Sequence, residues 1–242
     1  VEHPIHLSYL PLAHIYERSI FIWTIFKNGK YGMFNGDVQK LKDDLAILKP
    51  NLFASVPRLF NRFYDKIQST IKNTRGCSAT ILSRAIKVKS LEIESTGKCT
   101  DWLYDRLVFN KMKAALGGEV ELILSASAPL STKVRQFLKM AFCARFSEGY
   151  GQTESLGGSF MSDPKDKQTG TVGGPLPHNE FKLIDIPEMG YYSTDVDDQG
   201  RSSPRGEILV RGTNIIPAYY KNEIQTLETI DAEGWLHSGD VG

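Results

Sequence analysis

The chain has 242 residues, enough for one to two domains and for burying roughly 70% of its unfolded surface, which excludes a disulfide-stapled miniprotein. Hydrophobic residues make up 41%, charged residues 24% and aromatics 10%, a globular composition that excludes wholesale disorder. Lys plus Arg (29) against Asp plus Glu (28) leaves +1, so no global field points to nucleic acid or to a membrane surface.

Apolar runs of strand length alternate with stretches of helical period, the pattern of an α/β protein with a mostly parallel sheet flanked by helices. His6 to Leu10 reads as a strand, Ile15 to Phe26 as a largely buried helix, and Tyr31 to Phe34 as a short strand ended by Asn35-Gly36. Apolar residues at 38, 41, 45 and 48 put one stripe on a helix over 38–48, and Pro50 stops it. Leu52 to Val56 is the next strand, and Pro57 opens a helix with Leu59, Phe60, Phe63, Ile67 and Ile71 facing inward. Residues 77–116 look helical with a break near Ser95-Thr96-Gly97. Val120 to Leu124 follows as a buried strand, a helix runs from Ser131 to about Phe142, and Phe146 to Tyr150 is a strand again. Beyond residue 160 come short strands, Phe181 to Ile184 and Glu207 to Arg211, between polar Gly/Pro-containing loops. The expected organisation is an α/β part over 1–175 and a smaller β-rich subdomain over 176–242.

Cys77, Cys99 and Cys143 form no close pair, and an odd count argues against a secreted disulfide framework, so a reducing, intracellular compartment is expected. The most apolar stretch, Ser19 to Phe26, is flanked by charges and falls far short of the roughly 20 residues that span a bilayer. The chain opens at Val1 without Met and closes on SGDVG, read as a turn entering another element; both ends are expected to be cuts.

Four segments carry candidate chemistry. In Glu148-Gly149-Tyr150-Gly151-Gln152-Thr153-Glu154 a strand end runs into glycines, then a hydroxyl that can donate to phosphate and a carboxylate of the hard kind Mg²⁺ prefers. It fails the dinucleotide fingerprint, because Glu154 takes the place of its last glycine, and it is equally read as a strand-to-loop turn with a solvated Glu. In Gly234-Trp235-Leu236-His237-Ser238-Gly239-Asp240 an apolar anchor precedes a turn ending in Asp240, an acceptor able to take both hydroxyls of a ribose; the plain reading is a Gly-Asp turn. Ser125 to Ser131 (SASAPLS) places small residues at a strand's C-terminal end, where open α/β sheets bind ligands, or alternatively allows close helix packing with Ser131 as an N-cap. His14 follows the first strand, as a ligand group or as a satisfied core histidine. His3-x-x-His6 lacks the companions of a metal site, and P-loop, G-x-S-x-G and kinase signatures are absent.

Taken together and in this order, the segments resemble the adenylate-forming, AMP-binding superfamily and, within it, long-chain fatty acyl-CoA synthetases. SYLPLAHIYER (8–18), GDVQKLKDDLAILKPNLFASVPRLFNRFYDKI (36–67), EGYGQTE (148–154) and GWLHSGDVG (234–242) carry the resemblance, while SASAPLS (125–131) and GEILVRG (206–212) fall where that family has corresponding motifs. The resemblance implies an incomplete AMP-binding domain that ligates a long-chain fatty acid to coenzyme A: the carboxylate attacks the α-phosphate of ATP, and the CoA thiol then displaces AMP. Tyr150 would stack on adenine, Thr153 contact phosphate, Glu154 hold Mg²⁺, and Asp240 bind the ribose, with Glu148, Gly149 and Gly151 lining the nucleotide pocket. Ser125 and Ala126 would border adenine and acyl carboxylate, and His14 would orient that carboxylate.

Ala126 departs from the family's usual Gly. The phosphate loop and the lid with its catalytic Lys would lie outside these residues, as would any peripheral membrane anchor. The implied location is the cytoplasm or the cytoplasmic face of an organelle membrane. Phe21, Trp23, Phe26 and Phe60 are expected along an acyl tunnel, or as core. The competing functions are an adenylating ligase for a shorter or aromatic acid and a non-catalytic nucleotide- or acyl-binding module.

Overall fold

In the computed structural model, which describes residues 1–166 and 168–242, the chain divides into two units: Val1–Gly149 with Ser162–Gly173, and Tyr150–Met161 with Gly174–Gly242. The first is built on parallel strands β1 (Ile5–Ser8), β2 (Lys30–Met33), β3 (Leu52–Ser55), β4 (Leu122–Ser125) and β5 (Arg145–Tyr150), ordered β2-β1-β3-β4-β5. All four residues of β3 are buried, as a central parallel strand covered on both faces requires. Alternation then sorts the side chains by face. Leu52 and Ala54 pack with Leu122 and Leu124 against α1 (Ile15–Phe26). Phe53, Ile123 and Phe146 face the other way, into a core shared with α2 (Leu41–Leu48), α3 (Pro57–Asn73) and α7 (Thr132–Phe142).

The bounds of α1 are those read from sequence, but the helix is not largely buried: only Glu17, Ile20 and Thr24 are, while Ile22, Ile25 and Phe26 are exposed. A helix lying on one sheet face buries one stripe. Phe60 is fully buried between Phe53 and Phe146 and belongs to the core rather than to a tunnel wall. The helix expected over 38–48 begins as a 3-10 turn, Val38–Lys40, because Asp37 caps it by accepting from the Gln39 N–H at 2.9 Å.

Helix α4 (Cys77–Thr96) ends at Gly97, whose φ of +77° gives the left-handed C-cap. After it come α5 (Trp102–Tyr104), a π-helical turn over Asp105–Phe109, α6 (Asn110–Lys113) and a 3-10 turn, Ala114–Leu116. Behind the π turn, the buried Lys89 ammonium pairs with Asp105, donates to the Cys143 sulfur at 2.7 Å and lies 4.1 Å from the Phe109 ring centroid. Burial pushes the Cys143 thiol up to about 12, against the pull of Lys89.

In the second unit β8 (Asn179–Ile184), β9 (Glu207–Gly212) and β10 (Leu236–Val241) form an antiparallel sheet in the order β8-β9-β10, and β6 (Phe160–Met161) pairs with β7 (Gly174–Pro175). A short helix, α8 (Glu223–Thr229), precedes β10. The segment read from sequence as a terminal turn is thus a strand, irregular between His237 and Val241 where Gly239 adopts φ +70°. Among the described residues no helix is long and apolar enough to cross a membrane.

Candidate active site

The sheet register of the first unit aligns Ser55 with Ser125 and Ser125 with Glu148, a polar row at the C-terminal ends of β3, β4 and β5 where open parallel sheets hold ligands. Ser125 is 2% exposed and its hydroxyl has no hydrogen-bond partner among the described residues. Ala126 follows, donating its N–H to the Ser55 carbonyl at 3.4 Å, and Ser127 then takes φ +73°, strained for a residue with a Cβ. Ser131 caps α7 by accepting from the Val134 N–H. The packing role expected of this loop is thus present beside an unpartnered buried hydroxyl.

His14 is exposed, not a core histidine. It is the N-cap of α1: its Nδ1 accepts from the Tyr16 N–H at 3.2 Å, which leaves Nε2 as the proton-bearing nitrogen of the neutral ring. Tyr16 donates its hydroxyl to the Leu124 carbonyl at 3.0 Å, tying the start of α1 to the strand end that carries Ser125. One turn on, Glu17 is fully buried and accepts from Tyr31 at 2.5 Å and from His6 at 3.1 Å.

Glu148 is engaged by a residue that sequence did not single out. Its carboxylate lies 3.2 Å from the Arg135 guanidinium of α7, and both side chains are largely buried. Burial pushes the Glu148 carboxyl up and Arg135 opposes it, with a net rise. Gly149 closes the first unit in β5.

Tyr150 opens the second unit, and its hydroxyl donates to Asp240 Oδ2 at 2.7 Å; its ring meets Phe160 edge-on. Burial and the Asp240 charge raise the Tyr150 hydroxyl well above its ordinary range, so it stays a donor. Gln152 gives its amide to the same Oδ2 at 3.0 Å and to the Ser238 carbonyl at 2.8 Å. With two donors on one oxygen, Oδ1 of the exposed Asp240 keeps its acceptor capacity. A Cβ at Gly151 would collide with the Gly157 carbonyl, so the turn closes only around glycine. Thr153 stands exposed on that turn. Glu154 accepts from the Tyr219 hydroxyl at 2.7 Å, and its carbonyl accepts from the Ile216 N–H at 2.8 Å.

Among the described residues no three His, Cys, Asp or Glu side chains converge on one point. A metal at Glu154 would be held by this one carboxylate with substrate phosphates and water, a donor set that fits Mg²⁺. Sequence singles out neither Arg135 nor Tyr219, and it gives Gln152 and Tyr16 no role although both lie inside candidate motifs, because the contacts that engage them are made only by the fold, Tyr219 lying 65 residues from Glu154.

A flanked parallel sheet with polar loops at its C-terminal edge, followed by a small antiparallel sheet, defines the adenylate-forming fold. Residues 1–220 match the AMP-binding enzyme family, and the chain belongs to that family. It is similar to the peroxisomal long chain acyl-CoA synthetase 6 of Arabidopsis thaliana, at 47% identity over 238 residues covering 98% of this chain and 33% of that protein. Long-chain-fatty-acid--CoA ligase 6 of Rattus norvegicus is 41% identical over 98% of this chain and 33% of its own length. The adenylation domain of a carboxylic acid reductase from Segniliparus rugosus, solved with AMP and a co-purified carboxylic acid, superposes with a TM-score of 0.69 at 26% identity, covering 98% of this chain and 32% of that one. The chain spans about a third of the length of the curated relatives it matches.

Proposed function

We propose that the protein carrying this chain ligates a long-chain fatty acid to coenzyme A in two steps, forming an acyl-adenylate and pyrophosphate from ATP, then acyl-CoA and AMP. The observation that carries the reading is the joint anchoring of Asp240 by Tyr150 and Gln152, beside a glycine-closed turn that presents Thr153 and Glu154. The 47% identity to a long chain acyl-CoA synthetase supports the acyl class.

In the second unit Asp240 takes the ribose hydroxyls, the Tyr150 ring stacks on adenine with Gly151 beside it, and Thr153 donates to phosphate. Glu154, oriented by Tyr219, holds Mg²⁺, which supplies charge screening for converging phosphate oxygens. In the first unit the Nε2–H of His14 orients the acyl carboxylate, and the unpartnered Ser125 hydroxyl with Ala126 borders it. Glu148 and Gly149 line the nucleotide side, Glu148 acting through its pair with Arg135. The partners are fatty acid, ATP and CoA, and the location is intracellular, in the cytoplasm or on the cytoplasmic face of an organelle membrane; the Arabidopsis thaliana relative is named as peroxisomal.

The test is Glu154→Ala in the full-length protein, read by palmitate-dependent ATP–pyrophosphate exchange. Loss of a metal-holding carboxylate should cost about 10²-fold or more with the fold intact. Exchange within a few-fold of wild type removes Glu154 from this role.

A further inference from the structure

On the α3 side of the first unit lies a cavity of about 470 Å³, between α3, the first turns of α4 and the 107–115 segment. Its size falls within the ~300–1,000 Å³ usual for small-molecule sites. Phe63 and Ile67, both in the main core, form its floor, while Ile81 and Leu107 line it with 49% and 57% of their surface exposed. Apolar walls with uncovered apolar residues beside them are what an alkyl chain would fill.

Charge at this cavity has one sign. Lys42, Lys66 and Lys111, from α2, α3 and α6, line it; no carboxylate does. All three are exposed, and none makes an ion pair among the described residues. Thr70 and Thr74 also line the cavity, but their hydroxyls donate to backbone carbonyls at 3.0 and 2.9 Å, so an anion there would be recognised by ammonium groups as point charges.

The wall also contains the π-helical turn, which offers Leu107 and Val108 to the cavity. Turns of this type often occur at functional sites. This one is braced from behind by the buried Lys89–Asp105 pair, so the wall is preformed.

We propose that this cavity binds the alkyl chain of a long-chain fatty carboxylate, with Lys42, Lys66 and Lys111 taking the headgroup. The inference stands apart from the proposed reaction. None of the residues given chemical roles lines the cavity, and α3 packs on the sheet face opposite to the one covered by α1, which His14 caps. A carboxylate is favoured over a nucleotide because the walls hold no exposed aromatic platform on which a base could stack, Phe63 being buried. Affinity should rise about fourfold per added methylene until the cavity is full.

The experiment uses the full-length protein and a photoreactive diazirine analogue of palmitate, with adducts mapped by mass spectrometry. Adducts are expected within residues 63–82 and 107–115, displaced by palmitate at least about tenfold better than by hexadecyltrimethylammonium. The triple variant Lys42→Glu, Lys66→Glu, Lys111→Glu should lose these adducts about tenfold while adducts elsewhere in the chain persist. Circular dichroism checks that it folds, and the triple Lys→Gln variant, with an intermediate loss, serves as the milder companion. Because the readout is adduct position, it is independent of turnover. Absence of adducts in both segments, equal labelling of the triple Lys→Glu variant, or equal displacement by the cationic amphiphile would overturn the proposal.

Discussion

Glu17 in the first unit and Asp240 in the second each gather hydrogen-bond donors from distant parts of the chain, yet one is sealed and the other open. Glu17 is fully buried, with His6 and Tyr31 on its carboxylate. Asp240 is exposed, with Tyr150 and Gln152 crowded onto one oxygen and the other left over. The same chemistry thus does different work. A carboxylate whose oxygens are enclosed with their donors serves the scaffold, here by holding the helix that His14 caps, whereas one held by a single oxygen keeps capacity for a ligand.

Removing the enclosed member should have the largest effect. Glu17→Ala leaves the buried His6 ring without its carboxylate partner, while the half-buried Tyr31 hydroxyl keeps Ser8 Oγ at 2.7 Å, and a loss of ~3–5 kcal/mol in denaturant unfolding of the full-length protein is expected. A loss under about 1 kcal/mol would break the comparison. The pH response sharpens it. Burial raises the Glu17 carboxyl, but His6, Tyr31 and Ser8 together outweigh burial and leave it below its ordinary 4.5. Its folded pKa being depressed, the stability it contributes is present above the unfolded value and drains away as pH falls below 4.5 through the folded one, a dependence that Glu17→Gln should flatten.

Asp240→Ala should leave stability alone and, if Asp240 holds the ribose as proposed, raise the KM for ATP more than about tenfold through lost charge-assisted hydrogen bonds. Unchanged KM with lowered stability would make Asp240 a scaffold residue like Glu17. Gly151→Ala is expected to cost ~1–3 kcal/mol by overpacking against the Gly157 carbonyl, detectable as a lowered melting temperature. The smallest effect is assigned to Tyr219→Phe. It frees Glu154 without removing it, so pyrophosphate exchange should fall by less than about tenfold, with the fold unaltered.

Much of the scaffold was legible because it rests on local periodicity. The α1 bounds, the Pro57 start of α3, the Gly97 stop and the Ser131 cap all follow from residues within a turn or two of one another. β10 was not, since LHSGDV carries little apolar signal and is a strand only because β9 pairs with it. Nor was α8, a short helix between loops. In the site, EGYGQTE and GWLHSGDVG announced Tyr150, Glu154 and Asp240, but not that Tyr150 and Asp240 bond across 90 residues. Arg135 sits in an ordinary helical stretch, and nothing local distinguishes it until the fold brings Glu148 alongside.

The buried thiol of Cys143 makes the protein its own gauge of breathing. Held beneath Lys89 and raised to about 12, it is both shielded and protonated at neutral pH, so it should react with an alkylating reagent far more slowly than an exposed thiol. Cys77 is exposed at the start of α4 and offers an unshielded companion reaction. The lag of the inner thiol behind the outer one therefore reports how strongly this part of the molecule is protected under native conditions, with no engineered label.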